Sequence, residues 1–255
     1  MARHLSAFVN GVSLTAAVPN AIIREIHFDA AESDLTTGDR PGIYGQRVLG
    51  LHRKSLHVGV EFVVRELFDL TARSHAQEDA AAWAQDGQLR VSNKPGRYLQ
   101  MVCTGRPALL AARDYTQVLR ADFTALAVPY WQDLSTVAVT LTGTENTGTI
   151  RPVGTYGPLR LAVTVTPTAD TLTTLTLTAG NTQMSFSGLS VTAAAPLILS
   201  YDARDLLTIT SGGVGQLSHR TGSDDLLAMP RTDNAVGFTA DVACSVKFEA
   251  RGLYL

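Results

Sequence analysis

Leu56, Val58, Val60 and Phe62 occupy alternate positions of one short run, while His57, Glu61 and Arg65 fall on the other side or the rim. That two-residue period is the mark of a half-buried strand. Ile22–Phe28 alternates in part and reads as another strand, and Gln46–Leu51 reads as the pairing partner of Leu56–Arg65. Between them, Asp29–Gly45 carries Gly38, Pro41 and Gly42 and reads as a long loop, too long to be an idle connection. Ser74–Gly87 predicts a helix. Ser74 and Gln77 have the spacing of a capping box, Glu78 and Asp79 sit near the positive end of the dipole, and Gly87 is a natural stop. Ala76, Ala80, Trp83 and Ala84 form its packing stripe. Gln88–Ser92 and Arg97–Thr104 flank a turn at Asn93–Gly96, as in a hairpin, and Tyr115–Ala127 alternates again.

From about Leu134 the texture changes to threonine, small residues and strict alternation. Thr136–Thr142, Leu159–Thr166, Thr171–Thr178, Thr182–Phe186, Leu197–Tyr201, Leu206–Thr210, Val236–Val242 and Cys244–Arg251 make about eight short strands. Threonine on outward positions suits an antiparallel sheet with one wet face, and the spacing of the strands predicts a β-sandwich. Gly143, Asn146 and Gly148 mark a loop or turn near the change. The chain is therefore read as mainly β, with a β-barrel-like domain carrying one short helix over 1–133 and a sandwich domain over 134–255.

Composition narrows the function classes. With 255 residues, 45% hydrophobic and 17% charged, the chain can bury a substantial core and is not of disordered type. Its formal net charge is -2, with 14 basic and 14 acidic residues before Leu134 and 7 and 9 from there on. Neither part offers the one-signed field that nucleic acid or an anionic membrane attracts. No run approaches the ~18 apolar residues of a membrane span, and the N-terminus lacks the apolar stretch of a secretion signal. A soluble product that stays where it is made, or leaves only when the cell breaks, is expected. Cys103 and Cys244 are far apart in sequence; a single long-range bridge is open to them, but two unpaired thiols fit a cytoplasmically made chain. Lysine occurs only at Lys54, Lys94 and Lys247. The arginine bias suits desolvated interfaces, and equally a GC-rich genome.

Little in the chain points to catalysis or to a cofactor. His27 and Asp29 share a strand face without a third ligand at matching spacing, and His52, His57 and His75 read as solvated. Gly212–Gly215 lacks the helix that a phosphate loop needs, and Asp224–Asp225 reads as a turn in preference to a calcium loop. No nucleophile, zinc-protease or paired-carboxylate motif is present, so an enzyme is not expected. Tyr130, Trp131, Tyr156 and Tyr201 are the aromatic side chains that could stack on a sugar, with Tyr156 and Tyr201 the leading pair.

The order of the pieces resembles one family. A helix ending Trp83–Gly87, then Leu89, the turn Lys94–Tyr98 and the segment Ala121–Trp131 look like the N-terminal domain of siphophage distal tail (Dit) proteins. Gly180–Asn181, Leu197–Asp202 and the closing Arg251–Leu255 resemble that family's galectin-like sandwich. Val128 stands where the family usually has an acidic residue. The resemblance implies a non-catalytic protein, made in the host bacterial cytoplasm and carried at the distal end of the virion tail. It implies a homo-hexameric ring between the tail tube protein and the tail-associated hub or lysin protein, beside a receptor-binding protein or host glycan. Arg40, Tyr44 and Arg47 are the candidate ring-interface residues, because arginine and tyrosine often anchor interfaces. The rival readings are a carbohydrate-binding host-adhesion module and a tube subunit.

Overall fold

The computed structural model describes residues 5–29, 33–39, 46–53, 55–125, 127–202, 205–222 and 225–254; along 33–39 and 46–53 the description is of the backbone alone. The architecture is mainly β, as expected, and divides into two units, Met1–Trp131 and Gln132–Leu255.

The first unit runs β1 (Ala7–Val9), β2 (Val12–Ser13), a one-turn α1 (Leu14–Ala17), β3 (Ala21–Phe28), β4 (Ser33–Asp39), β5 (Gln46–Arg53) and β6 (Leu56–Val64). It continues with α2 (Leu70–Trp83), β7 (Gly87–Val91), β8 (Arg97–Cys103), β9 (Ala108–Arg113) and β10 (Thr116–Ala125). β6 lies between β3 and β10 in antiparallel register. β10 pairs along its first half with β9 and near its end with β8. β8 turns back on β7, and β7 meets β1.

Alternation explains the core. Val58, Val60, Phe62 and Val64 of β6 are buried, and so are Leu119, Ala121, Phe123 and Ala125 of β10. α2 lays Ala76, Ala80 and Trp83 into the core, and the Trp83 ring meets Phe62 and Phe123 edge-on, with centroids 6.4 and 5.9 Å away. Its indole Nε1 donates to the Val12 carbonyl at 3.0 Å, which satisfies the one polar atom of a buried ring.

Three sequence expectations are corrected here. The helix begins at Leu70, capped by Asp69, whose Oδ1 accepts from the Ala72 N–H at 2.7 Å. Ser74 therefore sits inside the helix, and Ala84, not Gly87, ends it. Part of the expected loop is a strand: Ser33–Asp39 pairs with Gln46–Arg53 from Ser33↔Arg53 to Asp39↔Gln46. β5 thus pairs with β4 and not with β6, because β6 has both edges taken by β3 and β10.

β11 (Trp131–Ile150) leads into the second unit. There follow β12 (Leu159–Pro167), β13 (Leu172–Ala179), β14 (Thr182–Val191), β15 (Leu197–Tyr201), β16 (Leu207–Ser211), β17 (Val214–Gly215), β18 (Arg220–Thr221), β19 (Leu227–Ala228) and β20 (Asn234–Tyr254). The run of β11 bends back on itself. A Cβ on Gly148 would lie 2.7 Å from Leu141 Cδ2, whereas the intervening residues fully extended would span on the order of 23 Å. Gly143 takes φ +123° at the bend, and Asn146 Nδ2 donates to the Thr142 carbonyl at 2.9 Å.

β20 serves two ladders. Val236–Ala240 pairs with β13, which continues to β14 and β18, and Cys244–Ala250 pairs with β12, which continues to β15, β16 and β17. Inward residues of both ladders, among them Leu175, Leu177, Met184 and Phe186 from one and Val163, Val165, Leu199 and Phe248 from the other, enclose a single core. That is the layered solution for sheets with one apolar face. Burying each such side chain stabilises the fold by roughly 1.5–3 kcal/mol.

Candidate functional site

Among the described residues a polar cluster gathers around Tyr201, at the end of β15. Arg160 of β12 lies over the Tyr201 ring, its Cζ 5.1 Å from the centroid. The same guanidinium pairs with Asp205 Oδ2 at 2.6 Å, donates to the Asp205 carbonyl at 2.7 Å, and reaches Asp225 Oδ2 at 3.5 Å. Arg220 of β18 holds Asp225 Oδ1 at 3.7 Å. Burial first, and the Asp225 charge next, push the Tyr201 phenol up to about 12, against the pull of Arg160 and Arg220. Burial also raises the Asp205 carboxyl above its ordinary range, opposed by Arg160 and supported by Asp225 and Asp202.

The arrangement is a pin that ties the ends of β12, β15 and β18 together through charge-assisted bonds. One face of Tyr201 is taken by the guanidinium, so a sugar ring stacking there has at most the opposite face. Tyr156 is held elsewhere, by an isolated bridge to Leu253 in the last strand. Tyr130 and Trp131 are buried at 6% and 2% exposure and offer no stacking surface, Trp131 packing edge-on to Phe28 at 5.8 Å.

Of the three candidate ring-interface residues, only the backbone of Arg47 is described. Arg40 and Tyr44 lie outside the described residues, and Arg47 stands in β5 opposite Gly38.

Other polar candidates resolve into structure. His27 finds Glu25 at 3.6 Å and Glu61 at 3.8 Å, with Glu61 shared by Arg24 at 3.0 Å. Among the described residues no three His, Cys, Asp or Glu side chains are placed to hold a metal ion. His57 Nδ1 bonds Thr124 Oγ1 at 2.8 Å and His75 is exposed on α2. Gly212 and Gly213, at φ +56° and +82°, form the tight turn between β16 and β17. Asp224 is outside the described residues, and Asp225 is committed to arginines. Cys103 and Cys244 are both free thiols, and burial, with Asp241 adding to it, pushes Cys244 up to about 11.

Two features escaped the sequence reading. The Arg160 cluster joins residues scattered between β12 and β19, with no local spacing to betray it. β9 shows no alternation, because every residue of Ala108–Arg113 is exposed.

No family model and no curated protein matches the chain. Solved structures do. The SPP1 Dit protein, described as a paradigm of the hub adsorption apparatus in phages that infect Gram-positive bacteria, matches with a TM-score of 0.64 at 11% identity, over 97% of this chain and 98% of that one. The chain has the Dit fold. A chain of the phage P2 baseplate, in its activated conformation with calcium, matches with a TM-score of 0.53 at 7% identity, over 99% of this chain and 98% of that one. The Dit fold thus extends across both units. At these identities the likeness is one of fold, and the roles of single residues rest on the geometry above.

Proposed function

We propose that this protein is a structural hub at the distal end of a siphophage tail. Six copies form a ring that links the tail tube protein to the tail-associated hub or lysin protein and the receptor-binding apparatus. The observation that carries this reading is the full-length match of both units to the SPP1 hub protein. The polar cluster around Tyr201 is compatible with it, since its side chains pair with one another between strands. In this reading the protein acts by shape and assembly, takes no cofactor, and resides in the virion. The β4–β5 hairpin, with Arg40 and Tyr44 in the link and Arg47 in β5, supplies ring contacts. Negative-stain images and light-scattering mass of the purified full chain test the proposal. A discrete six-fold ring is expected; stacked tubes would point to a tube subunit instead.

The carbohydrate-binding alternative draws on the partly exposed Tyr201 and on an uncharged outer row, Thr221–Ser185–Thr176–Thr239, across four strands. Titration of the full chain with host wall polysaccharides decides it: binding lost in Tyr201→Ala supports it, and no binding removes it.

A further inference from the structure

We infer that Asn10–Gly11 is a site of spontaneous covalent modification, loss of the side-chain amide through a cyclic imide, which the fold latches by clamping Asn10 onto the Asp86–Gly87 pair. The inference stands apart from the hub reading.

Asn10 is the one asparagine of the chain that a glycine follows, and Asp86 is the one aspartate that a glycine follows. Such dipeptides close to an imide readily, because the glycine has no Cβ to hinder the approach of its backbone nitrogen. The fold brings the two pairs into contact although 76 positions separate Asn10 from Asp86. Asn10 and Gly11, at φ +50° and +85°, make the two-residue turn between β1 and β2, closed by the Val9↔Val12 pair. Both residues are exposed, and a Cβ on Gly11 would meet nothing within 4 Å, so water reaches the turn.

The reaction needs the Gly11 nitrogen to attack Asn10 Cγ. The N–Cγ bond forms, the Cγ–Nδ2 bond breaks, and Nδ2 leaves as ammonia with the proton of the Gly11 N–H. Water then opens the ring at either carbonyl, giving its hydroxyl to the carbon and returning a proton to the nitrogen. Opening at Cγ leaves aspartate. Opening at the main-chain carbonyl leaves isoaspartate, with the backbone routed through Cβ.

In the folded chain the amide is engaged elsewhere. Nδ2 donates to the Asp86 carbonyl and Oδ1 accepts from the Gln88 N–H, both at 2.9 Å, and the reaction requires these bonds to break first. The Asn10 N–H donates to the Gln88 carbonyl at 2.9 Å, where β1 runs beside β7 from Ala7↔Val91 to Val9↔Leu89. The Asn10 amide lies where a Cβ on Gly87 would stand, so it also covers the second imide-forming pair. Asp86 is held in its turn by Oδ1, which accepts from the Cys103 N–H at 2.8 Å. Conversion at Asn10 is one-way. Aspartate would set a carboxylate oxygen against the Asp86 carbonyl that Nδ2 now satisfies, and isoaspartate would lengthen a turn built for two ordinary residues.

The test holds the full-length protein at mildly alkaline pH, folded and in urea, and reads Asn10 conversion by peptide mass spectrometry, with isoaspartate counted separately from aspartate. The folded wild type should convert at least about tenfold more slowly than the unfolded chain, since two hydrogen bonds must break first. Gly87→Ala, followed where circular dichroism shows it folded, should convert several times faster than the folded wild type, because its methyl group displaces Asn10. Asn10→Asp should melt below the wild type, and both isomers should appear in the converted chain. Aspartate alone would overturn the imide route. Equal rates in folded and unfolded wild type, a folded Gly87→Ala no faster than the wild type, or an Asn10→Asp that melts with it would each overturn the latch. If Gly87→Ala does not fold, the other two comparisons decide. None of these results bears on the hub reading.

Discussion

The side chain of Asn10 occupies the space that a Cβ on Gly87 would need. Its Nδ2 donates to the Asp86 carbonyl and its Oδ1 accepts from the Gln88 N–H, both at 2.9 Å, so it bridges the backbone on either side of the glycine. Gly87 itself takes φ +134°, a conformation closed to other residues. This pair joins the end of α2 to the β1–β2 turn and sets where β7 starts. Gly87→Ala is expected to destabilise the chain by about 2–4 kcal/mol, through backbone strain and displacement of Asn10. Asn10→Ala is expected to cost about 1–2 kcal/mol for its lost bonds. In the double variant the costs should be less than additive, because the clash has gone while the strain stays. Urea unfolding of the four proteins measures this, and strict additivity would show that Asn10 and Gly87 are not coupled.

Trp83 anchors α2 by a ring packed on Phe62 and Phe123 and by one donated hydrogen bond. Trp83→Phe keeps most of the first and removes the second, leaving the Val12 carbonyl without that donor. A loss of about 1–3 kcal/mol is expected, against about 3–5 for Trp83→Ala, which also opens a cavity. Equal losses for the two variants would mean that the hydrogen bond, and not the packing, carries the residue.

Most strands were legible because one face is wet. β6, β10, β12, β13 and β14 alternate in sequence as they do in burial. Where that condition fails, the signal fails. β9 is exposed on both faces, so its alanines and leucines carry no period. β4 reads as loop because Asp34, Gly38 and Asp39 are poor strand formers, and only pairing with β5 makes it a strand. The start of α2 was displaced because Leu70 is almost fully exposed and hides the first turn, while Ser74 and Gln77 imitate a cap. The Arg160 pin had no signal at all. Its acidic partner Asp225 was noticed for calcium, a chemistry it is not free to perform.

Two aspartates of the second unit should respond to pH in opposite senses. Asp241 caps the start of β13: burial opposes its charge, but Thr173, through its N–H and Oγ1, and the Thr174 N–H together hold the carboxyl below its ordinary range. A depressed group contributes stability above its unfolded pKa and loses it as pH falls through the folded one. Asp241→Asn is therefore expected to be less stable than the wild type at neutral pH, and the difference should shrink below the carboxylate range. Asp205 is raised, first by burial, so its contribution is fully present at acid pH and is lost as pH rises through its folded pKa. Asp205→Asn should match the wild type at acid pH and equal or exceed it at neutral pH. Melting temperatures of both variants from acid to neutral pH check the signs. A parallel response of the two would show that the Arg160 pairing outweighs burial at Asp205.

The ring contacts assigned to the hairpin separate assembly from folding. Arg47 lies in β5, and Arg40 falls in the segment that links it to β4. Alanine at both should weaken the ring, since guanidinium groups lose little hydration when they pair across an interface and their removal leaves the partner groups unsatisfied. The melting temperature of the dissociated subunit should not fall, because β4–β5 forms a sheet of its own and its loss does not open the core around Phe62 and Trp83. Mass by light scattering and the melting curve, taken on the same dilution series, read the two effects apart. An intact ring in the double variant would move the interface away from these arginines. A melting temperature lowered together with ring loss would instead make the hairpin part of the subunit's own fold.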